Sequence, residues 1–308
     1  MAQPDPAFRA DVLAGLAAPI PAVPARWLYD RRGSELFEEI TRLPEYYPTR
    51  TEKALLERYS GEIAALLGKG EAVVEFGSGS SAKTPILLRA VHPAAYVPID
   101  ISGDFLRDSA EALQAEFPSL PIHPVEADFM RRLDLPAEIA AAPKLGFFPG
   151  STIGNFVPRT AVDLLRAMKE TLGEGARLVI GMDRTKNVDV LRAAYDDAAG
   201  VTAKFNLNIL RRMNRELGGN FDLASFRHRA FYNAPEHRIE MHLVSLKAQA
   251  VTVAGRSFTF AEGETIHTEN SYKYTVESFR TLARNAGWRP VETWTDENDH
   301  FAVHALKL

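Results

Sequence analysis

The sequence predicts an α/β protein built on a doubly wound parallel sheet, with a second, smaller α+β unit. Strand and helix patterns alternate from Glu71 to about residue 186, and the alternation is then interrupted until about residue 275. Strands separated by helices form parallel sheets with helices on both faces. Within residues 73–84 a short apolar strand runs into a turn that contains Gly77 and Gly79. Doubly wound folds bind nucleotide-like ligands at such turns.

Apolar periodicity assigns the remaining elements. Within 1–70 we predict helices over 34–40 and 50–67, with a proline-rich turn over 43–50 between them. Strands are predicted over 72–76, 95–99, 122–126, 144–148 and 177–182, with helices over 85–91, 103–117 and 159–172. A helical stretch over 188–217, interrupted near Gly200, precedes short strands over 237–246 and 250–260. A helix over 275–286 and strands over 290–295 and 301–308 complete the chain.

These elements predict two units. Residues 71–186 would form the ligand-binding domain, and residues 276–308 would complete its sheet. The helical segment 1–70 and the insertion 187–275 would together form the second unit. A ligand is expected in the cleft between two such units.

Composition excludes several classes of function. A net charge of −4 over 308 residues gives no electrostatic footprint for nucleic acid. The absence of cysteine excludes disulfides and thiolate chemistry, and the eight histidines form no H-E-x-x-H pattern, so no metal site is predicted. No apolar run is long enough to span a bilayer, and prolines interrupt the apolar N-terminal stretch. We therefore expect a cytoplasmic protein without a membrane partner, and a monomer.

Polar residues follow successive predicted strands, where this fold binds its ligand. Asp100 is suited to accept hydrogen bonds from ribose hydroxyls, and Asp128 from an adenine amino group beside the ring of Phe129. Lys83 could meet a carboxylate. Each aspartate could instead cap the following helix. The glycine turn departs from the dinucleotide and P-loop patterns and resembles the E-x-G-x-G loop of S-adenosylmethionine (SAM)-dependent methyltransferases.

Seven segments carry a narrower resemblance. Residues 26–30, 43–52, 76–79, 149–156, 194–201, 238–241 and 268–271 read RWLYD, LPEYYPTRTE, FGSG, PGSTIGNF, AYDDAAGV, RIEM and TENS. Together they resemble the histidine-specific methyltransferases of ergothioneine biosynthesis, from about residue 8 to the C-terminus. The resemblance implies a Rossmann-like class I methyltransferase sheet, a second substrate-binding unit, and transfer of three methyl groups from SAM to the α-amine of L-histidine, giving hercynine.

The resemblance also implies roles for individual residues. Asn155 and Tyr195 would hold the amino acid head group, with Gly150 in the same segment as Asn155. Tyr46 would line the site near the amine, so that Tyr46 and Asn155 are the implied catalytic residues. The remaining implied contacts are Glu269 and Ser271 to the imidazole, Met241 and Phe205 beside the substrate, and Tyr29 near the SAM carboxylate.

Two alternatives stay open at this point. The same scaffold could methylate another aromatic or basic amino acid, although an indole pocket has no use for a buried carboxylate such as Glu269. The chain could also be a SAM- or nucleotide-binding module without catalytic activity. Taken singly, Tyr46, Tyr47 and Tyr195 could be packing aromatics, and Glu269 a solvated loop charge.

Overall fold

The computed structural model describes residues 5–66, 71–79 and 82–308, so Leu67, Ser80 and Ser81 lie outside the described residues. The α-helices in this part of the chain are α1 Pro6–Leu16, α2 Arg31–Thr41, α3 Tyr47–Leu66, α4 Thr84–Val91, α5 Gly103–Glu116, α6 Ala137–Ala140, α7 Pro158–Leu172, α8 Val188–Tyr195, α9 Val201–Leu217 and α10 Val276–Asn285. No helix of the described residues is both long and apolar enough to cross a membrane.

The strands begin with β1 Ala72–Phe76, β2 Ala95–Asp100, β3 Val125–Glu126, β4 Lys144–Phe148, β5 Arg177–Asp183 and β6 Phe226–Asn233. They continue with β7 Arg238–Ser245, β8 Gln249–Val253, β9 Arg256–Phe260, β10 Thr265–Tyr272, β11 Arg289–Thr295 and β12 Phe301–Lys307.

The chain divides into two compact units. The small-sheet unit comprises Met1–Tyr46 and Asn187–Ser271, and the large-sheet unit comprises Tyr47–Lys186 and Tyr272–Leu308. Helix α3, which the sequence grouped with the N-terminal segment, therefore lies in the large-sheet unit.

The large-sheet unit contains a seven-stranded sheet in the order β11-β12-β5-β4-β1-β2-β3. Strands β1 to β5 pair in parallel, and β12 pairs antiparallel with both β5 and β11. The strand order reverses between β1 and β4, which makes this edge the point where a doubly wound sheet binds its ligand. The predicted fold class is confirmed.

Both faces of this sheet are covered by helices. Val74 of β1 packs in a core with Leu164 of α7 and Phe279 of α10. The adjacent Val73 packs on the other face with Leu55 of α3. Alternate side chains of one strand thus enter two separate cores, because successive strand residues point to opposite faces.

A buried carboxylate, Asp183, lies at the end of β5. It is 0% exposed, and it accepts hydrogen bonds from the Tyr47 hydroxyl at 2.7 and 2.8 Å and from the Lys273 amine at 2.8 Å. The Lys186 amine also donates to it. Burial acts to raise the pKa of Asp183, but the two lysines lower it below its usual value.

A second buried carboxylate, Glu75, lies in β1 beneath the glycine turn. One of its oxygens accepts from the Thr84 hydroxyl at 2.6 Å and from the Tyr96 hydroxyl at 2.7 Å. Thr84 is the first residue of α4, so this carboxylate joins β1 to the helix on the other side of the turn. Burial raises the pKa of Glu75 to about 7.

The small-sheet unit contains a three-stranded sheet in the order β10-β7-β6 and a β8-β9 hairpin. Helix α9 contacts β6, β7 and β8, and α2 packs on α9. The first turn of α2 packs against the main chain of Leu28 so closely that only glycine fits at position 33. A Cβ on Gly33 would lie 1.8 Å from the main-chain oxygen of Leu28.

Several predicted elements need correction. Pro48 lies inside α3, where the first helical turn tolerates proline, so the turn is shorter than 43–50. The strand predicted over 250–260 is two strands, because Ala254 and Gly255 both adopt positive φ and form a two-residue turn. The sequence also missed β6 and β10. In β6 only Phe226 and Ala230 are buried, which leaves too weak an apolar alternation to recognise.

We predict that Gly33→Ala lowers the free energy of unfolding by about 1–3 kcal/mol, since the backbone of residue 28 must move. Gly61→Ala is the matched control, because Gly61 is also a helix glycine and no atom of the described residues lies within 4 Å of its Cβ position. That change should stabilise the protein by roughly 0.5–1 kcal/mol. Urea denaturation measures both, and equal effects of the two changes would contradict the close packing at residue 33.

We predict that Glu75→Gln changes the pH dependence of stability. A carboxyl whose pKa rises on folding stabilises the protein below its unfolded pKa, and that stability is lost as pH rises through the folded value of about 7. Relative to the unchanged protein, the variant should therefore gain on the order of 2–3 kcal/mol between pH 4.5 and pH 7. Denaturation across this range measures the difference, and the exposed Glu57→Gln is the control. A pH-independent difference would be the contrary result.

Candidate active site

The glycine turn after β1 is held against the end of β2. Gly77 and Gly79 have φ of 69° and 51°, values that residues other than glycine rarely adopt. The amides of Gly77 and Ser78 donate to the main-chain oxygen of Ile99 at 2.8 and 3.1 Å. Among the described residues, no atom lies within 4 Å of the Cβ position of Gly79. The half-buried backbone of this turn lies at the switch point of the sheet.

Asp100 lies beside this turn. One carboxylate oxygen accepts from the Gly79 amide and the other from the Ser102 amide, both at 2.9 Å. Burial raises the pKa of Asp100. A carboxylate has about four lone-pair sites, so the group can still accept from a ligand hydroxyl.

Phe129 and Asp128 lie beyond the end of β3. The Phe129 ring edge is 3.4 Å from the Cβ position of Gly77 and stands edge-on to Phe148, with ring centroids 5.7 Å apart. Asp128 is exposed, and one of its oxygens accepts from the Met130 amide at 3.0 Å. The structure therefore brings together Gly77, Gly79, Asp100 and Phe129.

Lys83 has a partner that the sequence did not suggest. Its amine donates to Glu52 of α3 at 2.6 Å, and the carboxylate of Glu52 also accepts from the Gly150 amide. Glu52 was visible only as the last letter of a family motif, and its partners are distant in sequence.

We call residues 149–156 the acceptor loop, since it carries Gly150 and Asn155. Gly150 has φ of 83°. Ser151 has φ of 59°, and its hydroxyl accepts from the Asp183 amide at 2.8 Å. A short 3₁₀ helix, Thr152–Asn155, ends at the half-buried Asn155. The loop is therefore fixed by contacts to the protein interior on the N-terminal side of Asn155.

In the small-sheet unit, Tyr195 joins two of the predicted residues. Its hydroxyl lies 2.6 Å from the Ser271 hydroxyl, and its ring centroid is 6.2 Å from that of Tyr46. Tyr29 and Phe205 form a second predicted pair, with centroids 5.4 Å apart. Phe37, which the sequence did not single out, contacts Tyr29, Tyr46 and Phe205 and unites the group.

Tyr195 also defines one face of the small sheet. The ring of His228 in β6 lies 2.8 Å from the main-chain oxygen of Tyr195, and His228 pairs directly opposite Leu243. Opposed residues in a sheet share a face. Met241, two residues from Leu243, lies on that face too, which we call the helix face.

Strand β10 changes face along its length. His267 stacks on His242, which is next to Met241 and so lies on the opposite face, whereas Ser271 bonds Tyr195 on the helix face. A regular strand would place residues 267 and 271 on the same face. The Asn270 side chain lies beside the His267 ring, so these two residues share a face although they are three apart. The alternation therefore changes phase between His267 and Asn270, as at a β-bulge, and it places Glu269 and Ser271, the two neighbours of Asn270, on the helix face.

A histidine–carboxylate cluster lies on the other face of the small sheet. Glu240, His242 and His267 place possible ligand atoms within 4.8 Å of one another. However, the two imidazole rings are nearly parallel with centroids 4.6 Å apart, so one ion cannot lie in both ring planes. Arg238 pairs with Glu240 at 2.7 Å. This geometry favours a structural role for the cluster. Although burial acts in the opposite direction, hydrogen bonds from Asn233, His242 and Arg238 lower the pKa of Glu240 to about 2.

The site residues predicted from the sequence thus divide between the units. Those in the large-sheet unit are Gly77, Gly79, Lys83, Asp100, Asp128, Phe129, Gly150 and Asn155. Those in the small-sheet unit are Tyr29, Tyr46, Tyr195, Phe205, Met241, Glu269 and Ser271. Of the latter, Tyr46, Tyr195, Phe205, Met241, Glu269 and Ser271 are less than one-tenth exposed.

The fold is similar to that of a solved SAM-dependent methyltransferase from Clostridium acetobutylicum. The two align with a TM-score of 0.53 over 89% of this chain and 98% of the other, at 11% sequence identity. This likeness supports the class I methyltransferase fold.

Similarity in sequence is much closer to two mycobacterial proteins. The histidine N-alpha-methyltransferase of Mycolicibacterium smegmatis is 43% identical over 96% of this chain and 94% of its own. The protein of the same name from Mycobacterium tuberculosis is 39% identical over the same shares. Residues 8–308 match the profile of the SAM-dependent, histidine-specific methyltransferases. The chain therefore belongs to this family, and its methyl donor is SAM.

Proposed function

We propose that the protein transfers three methyl groups from SAM to the α-amine of L-histidine, giving hercynine, a step in ergothioneine biosynthesis. Family membership and the activity named for its mycobacterial relatives support this proposal. The observation that supports it most is the buried carboxylate of Glu269, two residues before Ser271, whose hydroxyl lies 2.6 Å from that of Tyr195.

The residues of the large-sheet unit fit the methyl donor. Gly77 and Gly79 lack a Cβ and so allow close approach, and Asp100 retains acceptor capacity for ribose hydroxyls. Phe129 offers a ring for the adenine, with Asp128 to accept from its amino group. Lys83 offers a cation to the carboxylate of SAM, and we assign Tyr29 to the same end of the donor. The sulfonium of SAM is already activated, so the protein mainly aligns the amine with the methyl group.

The residues of the small-sheet unit fit histidine. Glu269 and Ser271 can pair with the two imidazole nitrogens, because a carboxylate accepts a hydrogen bond and a hydroxyl donates or accepts one. A pocket built on such bonds rejects analogues that lack them. Met241 and Phe205 would flank the ring, and Tyr195 would bind the head group together with Asn155 and Gly150.

The amine must lose a proton before each transfer, and the final product is a permanent cation. Asn155 is neutral, so it can orient the amine without stabilising the ammonium as a carboxylate would. Tyr46, or water beside it, is the proposed proton acceptor. The Tyr46 ring can also stabilise the methylated cation by cation–π attraction.

A different aromatic or basic amino acid is the alternative substrate, and a SAM-binding module without catalytic activity is an alternative of another class. Glu269 disfavours the first for indole, and the ordered acceptor loop disfavours the second. We also propose that the enzyme works in the cytoplasm, where free histidine and SAM are available; the monomeric state stays a prediction.

Purified protein with SAM and L-histidine should give products with one, two and three added methyl groups in a mass-spectrometric time course. Histidine blocked at the α-amine should remain unmodified, since the accepting lone pair is absent. Methylation of another amino acid with no reaction of histidine would refute the substrate assignment and leave the fold intact.

We predict that Glu269→Ala lowers kcat/KM for histidine by at least about 100-fold, because the imidazole loses a charged hydrogen-bond partner. The Kd for S-adenosylhomocysteine (SAH), the product form of the donor, should change less than about threefold by calorimetry, since donor contacts are elsewhere. Glu262→Ala, an exposed carboxylate in the same segment, should leave both quantities unchanged. Equal losses in histidine turnover and SAH affinity would argue against the assigned role.

A further inference from the structure

The motif at residues 43–52 contains a carboxylate for which the proposed reaction has no role so far. Glu52 lies in the second turn of α3, and its side chain is 1% exposed. Its hydrogen-bond partners, Lys83 and Gly150, belong to the large-sheet unit, as Glu52 itself does. A buried carboxylate is costly unless its lone pairs are satisfied.

Two segments of the site donate hydrogen bonds to this carboxylate. The Gly150 amide lies 2.9 and 3.1 Å from its two oxygens, and the Lys83 amine lies 2.6 Å from one of them. Gly150 is at the start of the acceptor loop, which follows β4. Lys83 is the last residue before α4, on the donor side of the neighbouring strand β1.

Glycines leave the space that this contact needs. A Cβ on Gly181 in β5 would lie 1.9 Å from an oxygen of Glu52. A Cβ on Gly150 would lie 3.2 Å from the Lys83 amine, and the φ of 83° at Gly150 is itself unfavourable to other residues. Glycine at position 181 thus leaves room for the Glu52 carboxylate, and glycine at position 150 leaves room for the Lys83 amine.

We propose that Glu52 is a positioning residue that couples the donor side of the site to the acceptor loop. Through Glu52, the position of Gly150, and so of the loop that carries Asn155, would depend on the position of the Lys83 amine. When the carboxylate of SAM also binds Lys83, the amine and the loop are held in one position, so donor binding raises the affinity for histidine. This inference rests on the proposed function, because histidine is the acceptor it considers.

Glutamine at position 52 weakens the connection without changing the shape of the side chain. One oxygen of Glu52 accepts from both the Lys83 amine and the Gly150 amide, and the other lies 3.1 Å from the same amide. In either orientation of a glutamine amide, its NH₂ group would therefore lie against the Gly150 amide, donor against donor, and the negative charge that pairs with Lys83 would be lost. Lys83→Met breaks the same connection from the other end.

The test is the affinity for histidine measured by calorimetry with and without saturating SAH. In the unchanged enzyme, SAH should raise that affinity about 10-fold, within the usual range of coupling between sites. In Glu52→Gln and in Lys83→Met, the ratio of the two histidine affinities should fall below about 2-fold. Glu62→Gln is the matched control, since Glu62 is on the same helix and accepts from the Trp294 indole at 2.9 Å. It should keep the ratio of the unchanged enzyme.

Each result has a distinct meaning. A ratio near one in the unchanged enzyme, or an unaltered ratio in a folded Glu52→Gln protein, overturns the coupling proposal and leaves the proposed function standing. A lower melting temperature with an intact ratio would reveal a purely structural role, and it overturns the proposal too. If Glu52→Gln fails to fold, Lys83→Met decides, since Lys83 is partly exposed. An unchanged enzyme that binds SAH but never binds or methylates histidine overturns the proposed function itself.

Discussion

The buried carboxylate of Asp183 binds a residue beside each of the three points where the chain passes from one unit to the other. The passages fall after Tyr46, after Lys186 and after Ser271. Tyr47, Lys186 and Lys273, each within two residues of a passage, all bind this carboxylate. Removing one partner from a buried ion pair leaves an uncompensated charge that costs about 3–5 kcal/mol. The amide of the same residue also binds the acceptor loop. The fold and the site thus depend on the same group.

Three buried carboxylates stabilise the region around the ends of β1, β4 and β5, and their surroundings give them different properties. Asp183 has lysine partners that lower its pKa, whereas burial outweighs two hydroxyl donors at Glu75 and raises its pKa to about 7. Glu52 contacts an amine and an amide. The glycine turn and the acceptor loop are held by groups of β2, β5 and α3, namely Asp100, Asp183 and Glu52. Regular elements thus give these loops a defined geometry.

The acceptor side depends on an irregular strand. Period-two alternation alone would place His267, Glu269 and Ser271 on one face of β10. The change of phase between His267 and Asn270 instead leaves His267 stacked on His242, while the Ser271 hydroxyl meets that of Tyr195. Bulges redirect side chains in this way. No pattern of residues 265–272 signals such a change, because the partners that stabilise it are on β7 and α8.

The sequence by itself determined the α/β class, most strand positions, the glycine turn and the family, because these depend on local periodicity and on contiguous motifs. It also named the residues at the ends of β1 and β2, since parallel strands end at one edge. Only the tertiary structure decided the partners of Lys83, the face of Glu269 and the position of α3 in the large-sheet unit. Each of these depends on groups distant in sequence. The Gly150 amide, for example, lies 2.9 Å from an oxygen of Glu52. Such contacts follow from packing, which no local pattern encodes.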